Sequence, residues 1–282
     1  MSDESKIRDT AEAVKGIVEA VPIYQDAVQP AAKEIGTALQ TVAKTIHIVL
    51  APVSALVWGY EQIKEFVSTK VAEKLKDVPP ENIATPKPNI AGPALESLRY
   101  TGHEEMLRDM YANLLAASMD TRTATGAHPA FVETIRQLTP DEARLLRLLA
   151  QVRSFPLLNV RREYKVQTPT ERGGTDILVN FSLLGWEAGC DCPQMTPTYI
   201  NNLCRLGLVE VPPFLEYTKP GVYDPLEKHP QVESIKAAIE ANEKYQTVIQ
   251  RKGLQVTQLG KQFCEICVIS HDQKGLPKRT NA

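Results

Sequence analysis

From Ile35 to Val67 the chain repeats one spacing without a miss. Ile35, Leu39, Val42, Ile46, Val49, Val53, Leu56, Tyr60, Ile63 and Val67 follow one another at steps of four and three. That alternation puts them on one stripe of a helix, the seam along which a helix packs on another helix. Each buried member contributes ~1.5–3 kcal/mol before entropy costs, so the seam demands a partner. Pro52 interrupts it. Inside a helix, proline deletes one hydrogen bond and clashes one turn back, which predicts a kink at Ala51–Pro52 or two helices meeting there. Before the proline, Thr37, Gln40, Thr41 and Lys44 keep one side polar; after it, Ile48, Ala51, Ala55, Trp58 and Gly59 leave little polar surface until Glu61. The face Ile46, Val49, Val53, Leu56, Trp58 and Tyr60 is therefore the candidate for deep helix packing or for contact with lipid.

Length decides between these. Sixteen uncharged residues separate Lys44 from Glu61, fewer than the ~20 needed to span a bilayer. Reaching back to Glu34 includes Lys44, at a cost of roughly 2.5–3.5 kcal/mol at the bilayer centre. A buried helical hairpin is the expectation, with the inner membrane as a surface met on activation.

The rest of the chain reads in blocks. Residues 1–78 are N-terminal helices, the first over 2–21 and ended by Pro22. Residues 79–93 are a Pro-rich connector, since five prolines lie between Val78 and Leu95. Residues 94–138 are a helical segment packing on the N-terminal helices. There Thr101 and Glu104 offer a capping box for a helix carrying Met106, Leu107, Met110, Tyr111, Leu114 and Leu115, and Pro129 opens another. Residues 139–272 begin with a capping box at Thr139 and Glu142, then mix short extended runs (FPLLNVRREY, DILVNFSLL) with a helix opened by Thr196 and Pro197 and ended by Gly207. They close on a hairpin across Arg251–Gly253 and a helix capped by Thr257. Helix, helix, strand, hairpin and closing helix is the order of a winged helix-turn-helix, with Pro212 to Glu243 as an enlarged wing. Residues 273–282 are a flexible tail. The fold class expected is mainly α: an N-terminal helical bundle with a kinked long helix, then a C-terminal winged helix-turn-helix-like α+β domain.

Charge limits what such a domain does. The whole chain carries a formal −2, which offers no general grip on nucleic acid. Residues 139–282 hold eighteen Lys and Arg against sixteen Asp and Glu, a net of +2. Thr198, Asn201, Asn202 and Arg205 on the second helix, with Arg251 and Lys252, are the candidate contacts to nucleic acid or to a protein partner. Asn and Arg read base edges, yet phosphate contacts demand a basic face that this helix lacks. A protein-docking module is the preferred reading and a DNA-binding regulator the alternative.

Catalytic signatures are missing. There is no GxSxG, no phosphate-binding glycine loop and no HExxH, and the five histidines share no ligand spacing. Cys190, Cys192, Cys264 and Cys267 form one CxC and one CxxC. They are a weak zinc candidate beside the simpler reading of buried packing. No catalytic residue, metal or small-molecule cofactor is assigned. The polar start MSDESKIRDTAEAV has no apolar leader, and five scattered cysteines suit no disulfide framework. A cytoplasmic protein, at most peripheral to the inner membrane, is expected.

Four phrases carry a resemblance: VPIYQDAVQPAAKEIGTALQTV, VLAPVSALVWGYEQIKEFV, NIAGPALESLRYTGHEEMLRDMYANLLAASMD and HPAFVETIRQLTPDEARLL. Together they resemble the abortive infection alpha family of bacteria. The match covers about Val21 to Leu149 and continues more loosely to the end. The resemblance implies a role in phage defence and supplies no catalytic residue. With the seam, it leads to a non-enzymatic defence protein acting through helical self-association or membrane perturbation, with a protein partner. A structural subunit of a defence complex is a further alternative.

Overall fold

The computed structural model describes residues 59–269, apart from residue 152. The seam from Ile35 to Trp58, the kink at Ala51–Pro52, the helix over 2–21 and the tail over 273–282 lie outside the described residues. The described chain divides into two compact units: residues 59–140 with 262–269, and residues 141–261.

The first unit is helical. Helix α1 (Tyr60–Phe66) runs through a π-helical turn, π1 (Val67–Val71), into α2 (Ala72–Leu75). Gly59 opens it, its N–H donating to Gln62 Oε1 at 3.0 Å. Ile63, Phe66, Val67, Val71 and Leu75 are buried, so the described end of the seam packs within its own unit. The π turn coincides with the hydroxyls of Ser68 and Thr69, both donating to the Glu65 carbonyl, a local bond that competes with the helical ladder.

The proline-rich stretch is more structured than an extended connector. Pro80–Asn82 form a 3₁₀ turn, Ile83 bridges Asp120, and helix α3 (Pro88–Thr101) starts at Pro88, inside the stretch expected as connector. Pro88 sits where the first-turn N–H needs no partner. Pro93 is carried inside α3, and Ser97 Oγ donates to its carbonyl at 2.8 Å. The capping box at Thr101 does not form. Thr101 ends α3 with its hydroxyl on the Ser97 carbonyl, and helix α4 (Glu105–Met119) starts without a side-chain cap. The apolar face of α4 falls as its spacing predicts, with Leu107, Met110, Tyr111, Leu114 and Leu115 buried. Helix α5 (Ala130–Arg136) packs on α3 and α4.

The second unit overturns the mainly α, winged-helix expectation. After α6 (Pro140–Leu149), strands β1 (Phe155–Tyr164) and β2 (Gly174–Phe181) form an antiparallel pair joined near Gly173, whose φ is +83°. A short helix α7 (Leu184–Glu187) and helix α8 (Thr196–Arg205) lead to β3 (Val209–Glu210), then α9 (Asp224–Glu227), α10 (Pro230–Glu240) and β4 (Tyr245–Val256). The four strands make one antiparallel sheet in the order β2-β1-β4-β3. Among the described residues there is no wing hairpin: β4 passes straight through Arg251–Gly253 and pairs with β1 from Phe155↔Leu254 to Tyr164↔Tyr245. Gly253 serves close approach, not a turn. A Cβ there would stand 2.8 Å from Leu215 Cγ and 2.9 Å from Tyr217.

The segment expected as an enlarged wing instead covers the sheet. Tyr223, Leu226, Val232 and Ile239 of the α9–α10 region close a core with Leu158, Val160 and Phe181. Helix α11 (Gln258–Phe263) begins as predicted, with Gly260 N–H donating to the Thr257 hydroxyl at 2.9 Å. It runs on into a second π-helical segment, π2 (Cys264–Val268), which packs on α4 within the first unit.

Candidate functional site: a polar seam beside the bulged edge strand

Strand β2 is an edge strand, and its pairing with β1 slips twice. Leu158 faces Phe181 and Val160 faces Leu178, so Asn159 stands opposite two residues, Val179 and Asn180; Arg161 then faces Asp176, leaving Ile177 over. Bulges of this kind bend a strand and blunt its edge against further pairing. Asn180 takes up the first bulge in the left-handed region at φ 52°, a conformation asparagine tolerates better than other side chains.

Three asparagines and a glutamine meet here. Asn159 Oδ1 accepts the Asn180 N–H at 2.9 Å, Asn180 Nδ2 donates to Asn201 Oδ1 at 3.3 Å, and Asn159 Nδ2 reaches Gln250 Oε1 at 3.5 Å. Asn180 Oδ1 is buried without a hydrogen-bond partner. At the next residue of α8, Asn202 Nδ2 donates to Glu142 Oε1 at 2.8 Å, while Arg205 donates to Asn202 Oδ1 through Nε at 2.9 Å and Nη2 at 2.7 Å.

The other end of α8 is held by a buried carboxylate. Asp141, in the first turn of α6, accepts from the N–H groups of Asp191 at 2.8 Å and Cys192 at 2.9 Å and from the Tyr199 hydroxyl at 2.8 Å. Arg144 donates to the same carboxylate and, at 2.7 Å, to Asp191. Burial alone pushes the Asp141 carboxyl up, but these donors, led by the Cys192 and Asp191 N–H groups, outweigh it and hold the group below the usual carboxylate value. Burial, then its bond to Asp141, raises the Tyr199 hydroxyl. Burial, reinforced by the Asp141 charge, raises the Cys190 thiol to about 11. A protonated thiol is no nucleophile at neutral pH. The arrangement locks α8 to α6 and to the edge of the sheet, and it sets no nucleophile beside a base.

The residues singled out in the sequence fall in different places. Thr198, Asn201, Asn202 and Arg205 do share α8, with Thr198, Asn201 and Arg205 exposed. Asn202 and Arg205 are engaged with each other and with Glu142, not held out for a ligand. Arg251 lies on β4, paired with Glu227 at 2.6 Å and Glu216 at 3.7 Å and set over the Tyr223 ring. Lys252 is half-buried on the same strand. Tyr60 opens α1; Ile46, Val49, Val53, Leu56 and Trp58 lie outside the described residues. Cys190, Cys264 and Cys267 are buried and Cys192 is exposed. Among the described residues no group of three or more His, Cys, Asp or Glu could hold a metal ion, which leaves the zinc candidate without support.

Sequence reasoning missed Asp141, Asn159, Asn180, Tyr199 and Gln250. A signal existed for two of them: LLNV and LVNF each set one asparagine inside an apolar strand, and a polar residue there needs a partner.

The fold and this polar seam define an α+β protein in which a sheet unit, braced by buried polar bonds, is inserted in sequence into a helical unit. A family model described as abortive infection alpha matches residues 59–267, and the chain belongs to that family. Among curated proteins none matches. One solved structure, an uncharacterized protein from the hydrocarbon-degrading marine bacterium Alcanivorax borkumensis SK2, is 24% identical. The match covers 52% of this chain and 94% of that chain, with a TM-score of 0.34.

Proposed function

We propose that this protein acts in abortive infection as a non-enzymatic defence protein, through self-association or membrane perturbation by the apolar stretch that ends at Val67. The observation that carries the defence role is the family match over residues 59–267. The described end of the stretch supports the mechanism: Ile63 and Val67 are 0% and 4% exposed, so the stretch is anchored in a folded unit while ten seam positions call for helical partners. Among the described residues no helix is long and apolar enough to cross a membrane.

The test is infection of a phage-sensitive bacterium expressing the full chain. Infected cells are expected to die before releasing phage, with a lowered burst size and normal growth when uninfected. Leu39→Asp and Val42→Asp in the seam are expected to abolish protection. An unchanged burst size across a phage panel would overturn the defence role. Full protection by the seam variants, with the protein absent from floated membranes and monomeric during infection, would overturn the mechanism alone.

A further inference from the structure

The helical unit is built from two separated pieces of chain. Residues 59–140 are contiguous, and the last element, π2, arrives more than a hundred residues later. It fills one side of α4. Phe263 and Cys267 are 0% exposed, Cys264 and Ile266 are 4% exposed, and the Phe263 ring meets Phe131 edge-on at 5.3 Å. Polar bonds also fasten it: Gln262 Nε2 donates to the Gly126 carbonyl at 3.0 Å, and Asn113 Nδ2, from α4, donates to the Cys267 carbonyl at 2.9 Å.

Two features of this well-buried contact depart from ideal helix packing. Cys264–Val268 is π-helical, a form found in single turns and often at functional positions. Asn113 is 4% exposed, and its Oδ1 has no hydrogen-bond partner, an arrangement that costs stability in a dry core. Helix α4 also contacts the other π-helical turn, Val67–Val71. Of these two segments, π2 alone can leave without breaking the contiguous stretch of residues 59–140, because it is tied to that stretch by side-chain and backbone contacts.

We propose that Phe263–Val268 is a releasable plug: an autoinhibitory contact that opens while α3, α4 and α5 stay folded, and that uncovers the apolar face of α4 for a competing amphipathic helix. The competitor's chemistry is set by what now fills the groove, an aromatic residue followed at the third and fourth positions by apolar ones, as in Phe263, Ile266 and Cys267. This inference is independent of the defence reading.

The buried thiols report the opening directly. Burial pushes the Cys264 thiol up to about 12, so it stays protonated and inert until the segment leaves the core. The full chain is labelled with a thiol reagent across a urea series, and the Cys264 and Cys267 peptide is followed by mass spectrometry. Labelling is expected at low urea with little dependence on urea, while α4 amides remain protected from exchange. Labelling that tracks urea as steeply as global unfolding would overturn the plug. Gln262→Ala is expected to speed labelling about fivefold, and Ile266→Ala at least about thirtyfold if it folds, neither altering α4 protection. A synthetic peptide of residues 258–269, with both cysteines replaced by alanine, is then added in excess. Faster labelling supports the autoinhibitory role, and an unchanged rate at saturating peptide overturns it.

Discussion

Two contacts, one in each unit, bury polar groups in opposite ways. Between α4 and π2 a neutral side chain is only half satisfied: Asn113 spends one end on Cys267 and leaves the other unpaired. In the sheet unit a full carboxylate is buried, and Asp141 collects two backbone N–H groups, a tyrosine hydroxyl and an arginine. The difference teaches where each unit can yield. A buried charge is tolerated only when every donor is in place, so its surroundings open together or not at all. A neutral amide with one loose end marks a contact that can part by itself.

Removing Asp141 would break that contrast most sharply. Asp141→Ala strands two N–H groups, a hydroxyl and Arg144, and is expected to cost about 3–5 kcal/mol in the unit holding α6 and α8, read as a lowered urea midpoint. The lesser change Asp141→Asn keeps the shape and loses the charge. It is expected to cost about 1.5–3 kcal/mol, the worth of hydrogen bonds to a charged group.

Acid sharpens the same point. The folded Asp141 carboxyl lies below its unfolded value of 3.8. Its contribution is therefore fully present above that unfolded value and is lost as pH falls through the folded one. Thermal melts between pH 5 and pH 2 are expected to fall more steeply for the parent than for Asp141→Asn. Equal slopes would show that the carboxylate is not what braces the sheet unit.

Asn180 tests the bulge. Asn180→Ala keeps a Cβ in the left-handed region and is expected to cost about 1–2 kcal/mol. Asn180→Gly is expected to recover most of that by removing the Cβ strain and the unpaired Oδ1 together. A glycine variant as unstable as alanine would mean that the Asn201 bond, not the backbone, is what matters there. The smallest effect is expected at Arg205, which is exposed: Arg205→Ala should change stability by no more than about 1 kcal/mol. A gel shift unaffected by that change would accord with its engagement by Asn202.

Much of the helical unit was legible because helices are local. The spacing of Leu107, Met110, Tyr111, Leu114 and Leu115 places α4, and Thr257 announces α11, since each signal acts within a turn of chain. The same local grammar misled where a residue had a distant use. Gly253 has the look of a turn residue, but Leu215 and Tyr217 need its missing Cβ. Thr101 and Glu104 spell a capping box, but Ser97 takes the threonine hydroxyl. For the candidate site, α8 and its Asn202 and Arg205 were found, while Asp141 and the amides of Asn159 and Asn180 were not. Their partners lie twenty to ninety residues away, where spacing is silent.

Taken alone, the order of residues determined the helical periods, the caps that hold, the near-neutral charge and, through its long phrases, the family. Tertiary structure alone decided that Tyr245–Val256 runs as one strand, that the presumed wing lies on a sheet, and that the last segment returns to the first unit. The reason is physical. A helix closes its hydrogen bonds within itself, whereas a strand must find its donors elsewhere in the chain, and only the folded whole shows which stretch supplies them.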